Sequence, residues 1–162
     1  MKHEAIFDQD KENKKMTITR PFNASLPLVW DAWTKAEILD QWWAPEPYKT
    51  ETKSMDFHEG GFWLYAMVGE GQKHWCRADY KKIKPKTNFT YIDAFCDENG
   101  KSTNFPNMHW LNEFAETNGT TTVTVNITFP TQEDMDKIME MGFKEGFTAG
   151  LNNLEEYLAK KK

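Results

Sequence analysis

The sequence predicts an α+β domain in which a curved antiparallel sheet of six to seven strands packs against a long C-terminal helix. From residue 48 to residue 129, apolar and polar side chains alternate in short runs, which is typical of strands with one buried face. Two strong hairpin-turn signals, Asn99-Gly100 and Asn118-Gly119, favour antiparallel pairing of these strands. Residues 131–160 instead show the spacing of an amphipathic helix.

One strand and two short helices are predicted before the sheet is complete. Residues 16–22 alternate and predict the first strand. Ser25 then predicts the start of a helix with Pro27 in its first turn, where a missing N–H group does no harm. Thr34 and Glu37 have the spacing of a capping box, which predicts the start of a second helix.

About six further strands are expected between these helices and the C-terminal helix. The first of them is predicted to end near residue 57. The other five are predicted to span 62–68, 74–83, 87–95, about 108–116 and 122–129. A twisted sheet of this width curls, and one helix cannot fill its whole concave side. We therefore expect either a very aromatic core or a cavity.

The closing helix is predicted as one continuous segment, with Thr131 at its N-terminus. Gly142, Gly146 and Gly150 recur inside it, at a cost of about 1 kcal/mol each relative to alanine. Two interpretations remain open. The helix backbone comes close to the sheet at these positions, or the missing side chains leave room for a ligand between helix and sheet.

Composition narrows the possible functions. Residues 1–15 are charged and predict a flexible arm, and residues 16–162 predict a single domain. The net charge of −5 argues against a nucleic-acid partner. Cys76 and Cys96 are too few for a disulfide framework, which favours the cytoplasm, and no run of residues predicts a membrane span or signal peptide. Seven Trp, eleven Phe and five Tyr are enough to build a core or to line a pocket.

Four segments carry a family resemblance. The stretch ITRPFNASLPLVWDAWTKAEILDQWWAP resembles the opening of the activator of heat-shock-protein-90 ATPase homologue family, within the START-like (SRPBCC) superfamily. MDFHEGGFWLYAM, IDAFCDENG and MGFKEGFTAGLNNLEEYL resemble three further family blocks in the same order. The resemblance covers residues 16–160 and implies a helix-grip fold of the birch-pollen-allergen type over an internal cavity. Gly142 and Gly146 coincide with glycines of the family.

The resemblance does not imply a single activity. Members of the superfamily include small-molecule and lipid binders, antibiotic self-resistance proteins, polyketide cyclases and co-chaperone domains. No catalytic set is common to the family, so no catalytic residue is carried over to this sequence.

Candidate ligand-binding residues are the side chains that should face the closing helix, together with two from the helix itself. They are Trp63, Tyr65, Met67, Cys76, Tyr80, Tyr91, Asp93, Phe95, Trp110, Asn112, Phe114, Phe143 and Phe147. A largely apolar chamber of this kind suits a flat or aliphatic ligand fixed by one or two hydrogen bonds. The alternative is that these side chains simply fill the space.

Asp93 is the charged residue among these candidates, and the strand phase set by Tyr91 and Phe95 turns it inward. A carboxyl group among aromatic rings has a raised pKa unless it is paired, so it can serve as an acid or a ligand anchor. The family resemblance includes an acidic residue here and favours a structural hydrogen bond.

His109 is a second candidate base. His74 lies two residues from Cys76, but further ligands at a recognisable spacing are missing, so we expect no metal and no cofactor.

Three functions are compatible with these features. The leading hypothesis is a non-enzymatic binder of a small hydrophobic or aromatic molecule. The second is a cyclase, hydratase or hydrolase that acts on a similar ligand through Asp93 or His109. The third, with the weakest support, is a co-chaperone-like interaction module with a chaperone partner.

Overall fold

Eight strands form one antiparallel sheet in the computed structural model, which describes residues 4–44, 47–101 and 107–161. The strands are β1 (Ile6–Asp10), β2 (Lys15–Phe22), β3 (Lys49–Met55), β4 (Phe62–Gly69), β5 (Gln72–Lys84), β6 (Asn88–Cys96), β7 (Met108–Thr117) and β8 (Thr120–Thr128). Their order across the sheet is β1-β2-β8-β7-β6-β5-β4-β3. The helices are α1 (Leu26–Thr34), α2 (Ala36–Trp42), α3 (Gln132–Glu140) and α4 (Phe143–Ala159). The predicted α+β architecture is confirmed, with two short helices after the strand that was predicted as the first.

The sheet has one more strand than the six to seven predicted, and the extra strand lies in the predicted flexible arm. Ile6 pairs with Thr19 and Asp10 with Lys15, so β1 adds an edge strand to β2. Most of its side chains are exposed. The prediction of a flexible arm is therefore wrong for residues 6–10. Main-chain hydrogen bonds hold this edge strand, and apolar alternation gives no signal for such pairing.

The predicted continuous C-terminal helix is two helices that meet at Gly142. The backbone of Gly142 has φ +88°, which is left-handed and incompatible with a continuous α-helix. Thr131 accepts a hydrogen bond from the backbone N–H of Asp134 at 3.0 Å, so the predicted cap is confirmed for α3. The chain therefore changes direction between α3 and α4, above the concave face of the sheet.

Gly150 has a different role, in the middle of α4. A Cβ atom there would lie 3.0 Å from the carbonyl oxygen of Trp43 and 3.4 Å from that of Trp42. The backbones are therefore close at Gly150, but the neighbour is the end of α2, so the predicted approach to the sheet is wrong at this position. The three glycines were one pattern in the sequence but do not share one function.

The boundary between α1 and α2 also differs from the prediction. Thr34 is the last residue of α1, and its hydroxyl donates a hydrogen bond to the carbonyl oxygen of Trp30 at 2.8 Å. The N-cap of α2 is Lys35, so the predicted capping box at Thr34 is wrong. The indole of Trp42 donates to the carbonyl oxygen of Ala32 at 2.9 Å and fixes the two short helices against each other.

The core lies between the concave face of the sheet and the helices, and it contains a buried arginine. Arg20 of β2 is 1% exposed. Its Nη1 donates to Oδ1 of Asn152 at 2.8 Å, and its Nη2 lies 3.5 Å from Oε2 of Glu155. These contacts compensate the buried charge and attach α4 to the far side of the sheet, away from the α3–α4 junction.

Candidate functional site

A cavity of about 210 Å³ lies between the concave face of the sheet and the first turns of α4. Strands β4 to β7 form one wall, and the α3–α4 junction together with the end of α2 forms the other. The lining residues are Trp43, Tyr65, Met67, Cys76, Asp93, Phe95, Met108, Trp110, Ile138, Met141, Gly142, Phe143, Gly146 and Phe147. Six of these fourteen are aromatic and one is charged, so the wall is apolar with a single carboxyl group.

The structure brings eight of the predicted ligand-binding residues to this wall. They are Tyr65, Met67, Cys76, Asp93, Phe95, Trp110, Phe143 and Phe147. On the strands, these residues have the inward phase that alternation predicted. Phe143 and Phe147 are one turn apart on α4, and their rings stack with centroids 5.4 Å apart.

The other five predicted residues do not line the cavity. They are Trp63, Tyr80, Tyr91, Asn112 and Phe114, all of which are buried in the neighbouring core. Trp30 of α1 covers Phe114, because its ring packs 5.6 Å from Phe89 and 5.1 Å from Phe114. Helix α1 thus fills one end of the concave face with an aromatic ring. The alternative interpretation, side chains that simply fill space, describes that end of the sheet.

Asp93 of β6 is the one ionisable carboxyl group among the described residues that line the cavity. The residue is 8% exposed, and its Oδ1 accepts no hydrogen bond from the described part of the chain. Burial raises the pKa of Asp93 to about 7. The N–H of Ala94 opposes this rise in pKa, and the charge of Asp79 adds to it. The pattern of alternation predicted both the burial and the direction of this shift.

Two weaker acids lie beside this carboxyl group. Burial raises the pKa of the Tyr65 hydroxyl and of the Cys76 thiol well above their ordinary values, and the charge of Asp93 raises both further. Both groups are therefore neutral near pH 7. Tyr65 also accepts a hydrogen bond from the indole N–H of Trp43 at 3.1 Å. Asp93 is thus the group of this wall whose charge changes near neutral pH.

Comparison with known proteins decides the family. The family model described as activator of Hsp90 ATPase homolog 1-like protein matches residues 23–159. The chain belongs to this family. The resemblance predicted from the four sequence segments is confirmed.

Solved structures of bacterial proteins have a similar fold. A solution structure from Staphylococcus epidermidis is 31% identical, with TM-score 0.85 over 96% of this chain and 94% of that one. A solution structure from Arthrobacter aurescens is 26% identical, with TM-score 0.90 over 96% and 91%. A crystal structure from Mycobacterium smegmatis is 23% identical, with TM-score 0.89 over 97% and 98%, and it supports the fold alone. Comparison with curated proteins gives no significant match.

In this member of the Hsp90 ATPase activator homologue family, four lining residues were missed by sequence reasoning: Trp43, Met108, Ile138 and Met141. Gly142 and Gly146 also line the cavity, as expected from the interpretation that their missing side chains leave room for a ligand. Met108 has the same strand phase as Trp110 and could have been found from alternation. The α3–α4 residues could not, because a continuous helix was predicted there. Trp43 follows α2 directly, and no periodic pattern indicates where its ring points.

The two histidine candidates lie outside the cavity. His109 is exposed, because it alternates with Trp110 and so lies on the other face of β7. The hypothesis that His109 acts as a base inside the chamber is therefore wrong. His74 is also exposed, with its ring 5.9 Å from that of Tyr48. Within residues 4–44, 47–101 and 107–161, no group of three or more His, Cys, Asp or Glu side chains could hold a metal ion.

A larger surface groove of about 730 Å³ runs between α2, the start of β3 and the end of α4. Charged side chains such as Asp40, Lys49 and Glu156 line it. The carboxylate of Asp40 already accepts a hydrogen bond from Thr52 at 2.6 Å. We place the candidate site in the smaller cavity, because its wall is apolar and its buried carboxyl oxygen is free to bind a ligand. No helix in the described part of the chain is long and apolar enough to cross a membrane.

Proposed function

We propose that this chain binds a small hydrophobic or aromatic molecule in the cavity between the sheet and α4. The observation that carries the proposal is an apolar, largely aromatic wall around about 210 Å³, interrupted by one buried carboxyl group. For comparison, an apolar protein cavity of about 150 Å³ binds benzene. The volume here therefore accommodates one aromatic ring with a short substituent.

A ligand that fills the cavity removes apolar side-chain surface from water, so its binding to the folded chain is coupled to a gain in stability.

Ligand binding is tested by thermal shift with a series of one-ring apolar compounds, using a variant that fills the cavity. Gly146→Leu places a side chain at the cavity wall and also improves helix propensity. We expect ligands to raise the Tm of the wild-type chain and to leave that of Gly146→Leu unchanged. Glu145→Leu adds the same side chain at the neighbouring exposed position and should retain the ligand-dependent shift.

The proposal fails if no compound in the series raises the Tm of the wild-type chain. It also fails if Gly146→Leu and Glu145→Leu respond equally to ligand, because the binding site would then lie elsewhere.

The pKa of about 7 at Asp93 favours a second candidate function, which is acid–base catalysis of the cyclase, hydratase or hydrolase type on a similar ligand. Asp93→Asn keeps the shape of the side chain and removes the acid. Turnover that survives this substitution would eliminate the catalytic role.

A chaperone partner is a third candidate, and it rests on the family description. The direct measurement is the ATPase rate of purified Hsp90 with and without this chain. An unchanged rate would remove this candidate.

A further inference from the structure

We propose that the molecule bound in this cavity is an organic amine, whose positive charge pairs with Oδ1 of Asp93 while its apolar body contacts the aromatic wall. This inference rests on the proposed function and adds the chemical class of the ligand. It follows from three observations on the described residues: an acceptor without a partner among them, a cavity wall to which they contribute no counter-ion, and the aromatic character of that wall.

The first observation is the carboxyl oxygen itself. Oδ1 of Asp93 is buried and receives no hydrogen bond from any described residue. Buried polar groups in folded proteins nearly always have a partner, so an exception at a cavity wall indicates a binding position. A ligand that donates a hydrogen bond to Oδ1 would supply that partner.

The second observation concerns charge. None of the fourteen described lining residues is Lys, Arg or His, so the wall provides no counter-ion for an ionised Asp93. Arg77 lies on the neighbouring strand, but its Nε donates to Asp79 at 2.9 Å on the other face of the sheet. A neutral hydrogen-bond donor would satisfy the oxygen without balancing the charge. An ammonium group does both.

The third observation is the aromatic wall. Trp43, Tyr65, Trp110, Phe143 and Phe147 surround the same space. A cation within about 6 Å of an aromatic ring is attracted by the electron-rich face, and the attraction is larger when the cation is desolvated. Aromatic rings combined with one carboxylate are well suited to an alkylammonium group, whereas an anionic ligand would be repelled by Asp93.

Asp93 controls binding near neutral pH, because the phenols and thiols around it do not change their charge there. Helices α3 and α4 contribute apolar side chains to this region, and Met108 is the residue of β7 paired with Asp93. The remaining neighbours are phenols and thiols whose pKa values are raised by burial, and they stay neutral. They are Tyr65, Cys76, Tyr80, Tyr91 and Cys96. Asp79 adds negative charge from the other face.

The test is calorimetric titration of the full chain with three one-ring probes of similar size: 2-phenylethylamine, 2-phenylethanol and phenylacetate. We expect the amine to bind at least about tenfold more tightly than the alcohol at about pH 8, because a charge-assisted hydrogen bond is stronger than a neutral one. The carboxylate probe should bind most weakly. The preference for the amine should shrink at about pH 6, where Asp93 is protonated and the amine remains charged.

Asp93→Asn should remove the preference for the amine, so that 2-phenylethylamine and 2-phenylethanol bind with similar affinity. Asp79→Asn is the matched control, since it removes a carboxyl group from the opposite face and should retain the preference. The pH dependence of the wild-type chain gives an independent readout that requires no variant.

The outcomes separate the two proposals. Equal binding of amine and alcohol, tighter binding of the carboxylate, or a preference that persists in Asp93→Asn would overturn the amine assignment and leave the proposed cavity function standing. If none of the three probes binds at either pH, both proposals fail.

Discussion

The indole N–H of Trp43 donates a hydrogen bond to the Tyr65 hydroxyl at 3.1 Å, and this contact joins the end of α2 to strand β4 at the cavity wall. Both side chains are buried. Tyr65→Phe should lower the free energy of unfolding by about 1–3 kcal/mol, because the indole N–H loses its acceptor in a buried position. Urea denaturation measures this difference.

Tyr157→Phe is the control for that substitution. Tyr157 is only half-buried, and its hydroxyl makes no hydrogen bond within the described part of the chain, so its removal should change stability little. Equal effects of the two substitutions would show that the contact between Trp43 and Tyr65 contributes nothing specific.

Gly150→Ala tests the close approach of α4 to α2. Alanine improves helix propensity by about 1 kcal/mol, but its Cβ would lie 3.0 Å from the carbonyl oxygen of Trp43. That oxygen belongs to the backbone and cannot rotate away, and overpacking costs about 1–3 kcal/mol. We expect a net loss of stability by thermal denaturation. Thr148→Ala in the same helix serves as the control, and a more stable Gly150→Ala chain would contradict the close approach.

Gly142 tests the break between α3 and α4. Its φ is +88°, and a Cβ at this position would meet no atom within 4 Å, so a substitution acts through backbone conformation alone. Gly142→Ala should cost about 1–2 kcal/mol in the free energy of unfolding. Gly142→Asn should cost less, because asparagine tolerates the left-handed region. If the two variants are equally stable in urea, backbone strain is not the reason for glycine here.

Asp93 makes stability depend on pH with a definite sign. Its pKa is about 7 in the folded chain and 3.8 in the absence of burial, so between these values the folded state binds more protons than the unfolded state. The free energy of unfolding must therefore fall as pH rises from about 4 to about 7 and then level off. The difference in pKa corresponds to on the order of 4 kcal/mol as an upper bound.

Asp93→Asn should lack this contribution and should be more stable than the wild-type chain at about pH 8. Urea denaturation of both chains across that pH range measures the effect. If the difference in the free energy of unfolding between the two chains stays constant with pH, Asp93 is ionised throughout this range and has a partner.

Much of the fold could be predicted because burial of one sheet face produces alternating apolar and polar residues in the sequence. Val123, Val125 and Ile127 alternate with threonine and asparagine in β8, and the inward phase of Asp93 followed from the same rule. Strand β1 has no such pattern, since none of its five side chains is buried.

The cavity wall was predictable only in part, because its extent depends on how helices fill the concave face. The phase of a strand shows that Trp110 and Phe114 both point inward. It does not show that Trp30 packs against Phe114 and leaves the space beside Trp110 open. The left-handed conformation of Gly142 was equally hidden, since a glycine in a helical pattern fits both a continuous helix and a break.

The most direct test of the central claim is the crystal structure of this chain under xenon pressure. Xenon occupies apolar cavities that side chains leave open. We predict xenon density beneath Phe143 and Phe147, beside Asp93 and Trp110. An interior filled by side chains at that position, with no xenon bound, would contradict the existence of the cavity and with it the proposed function.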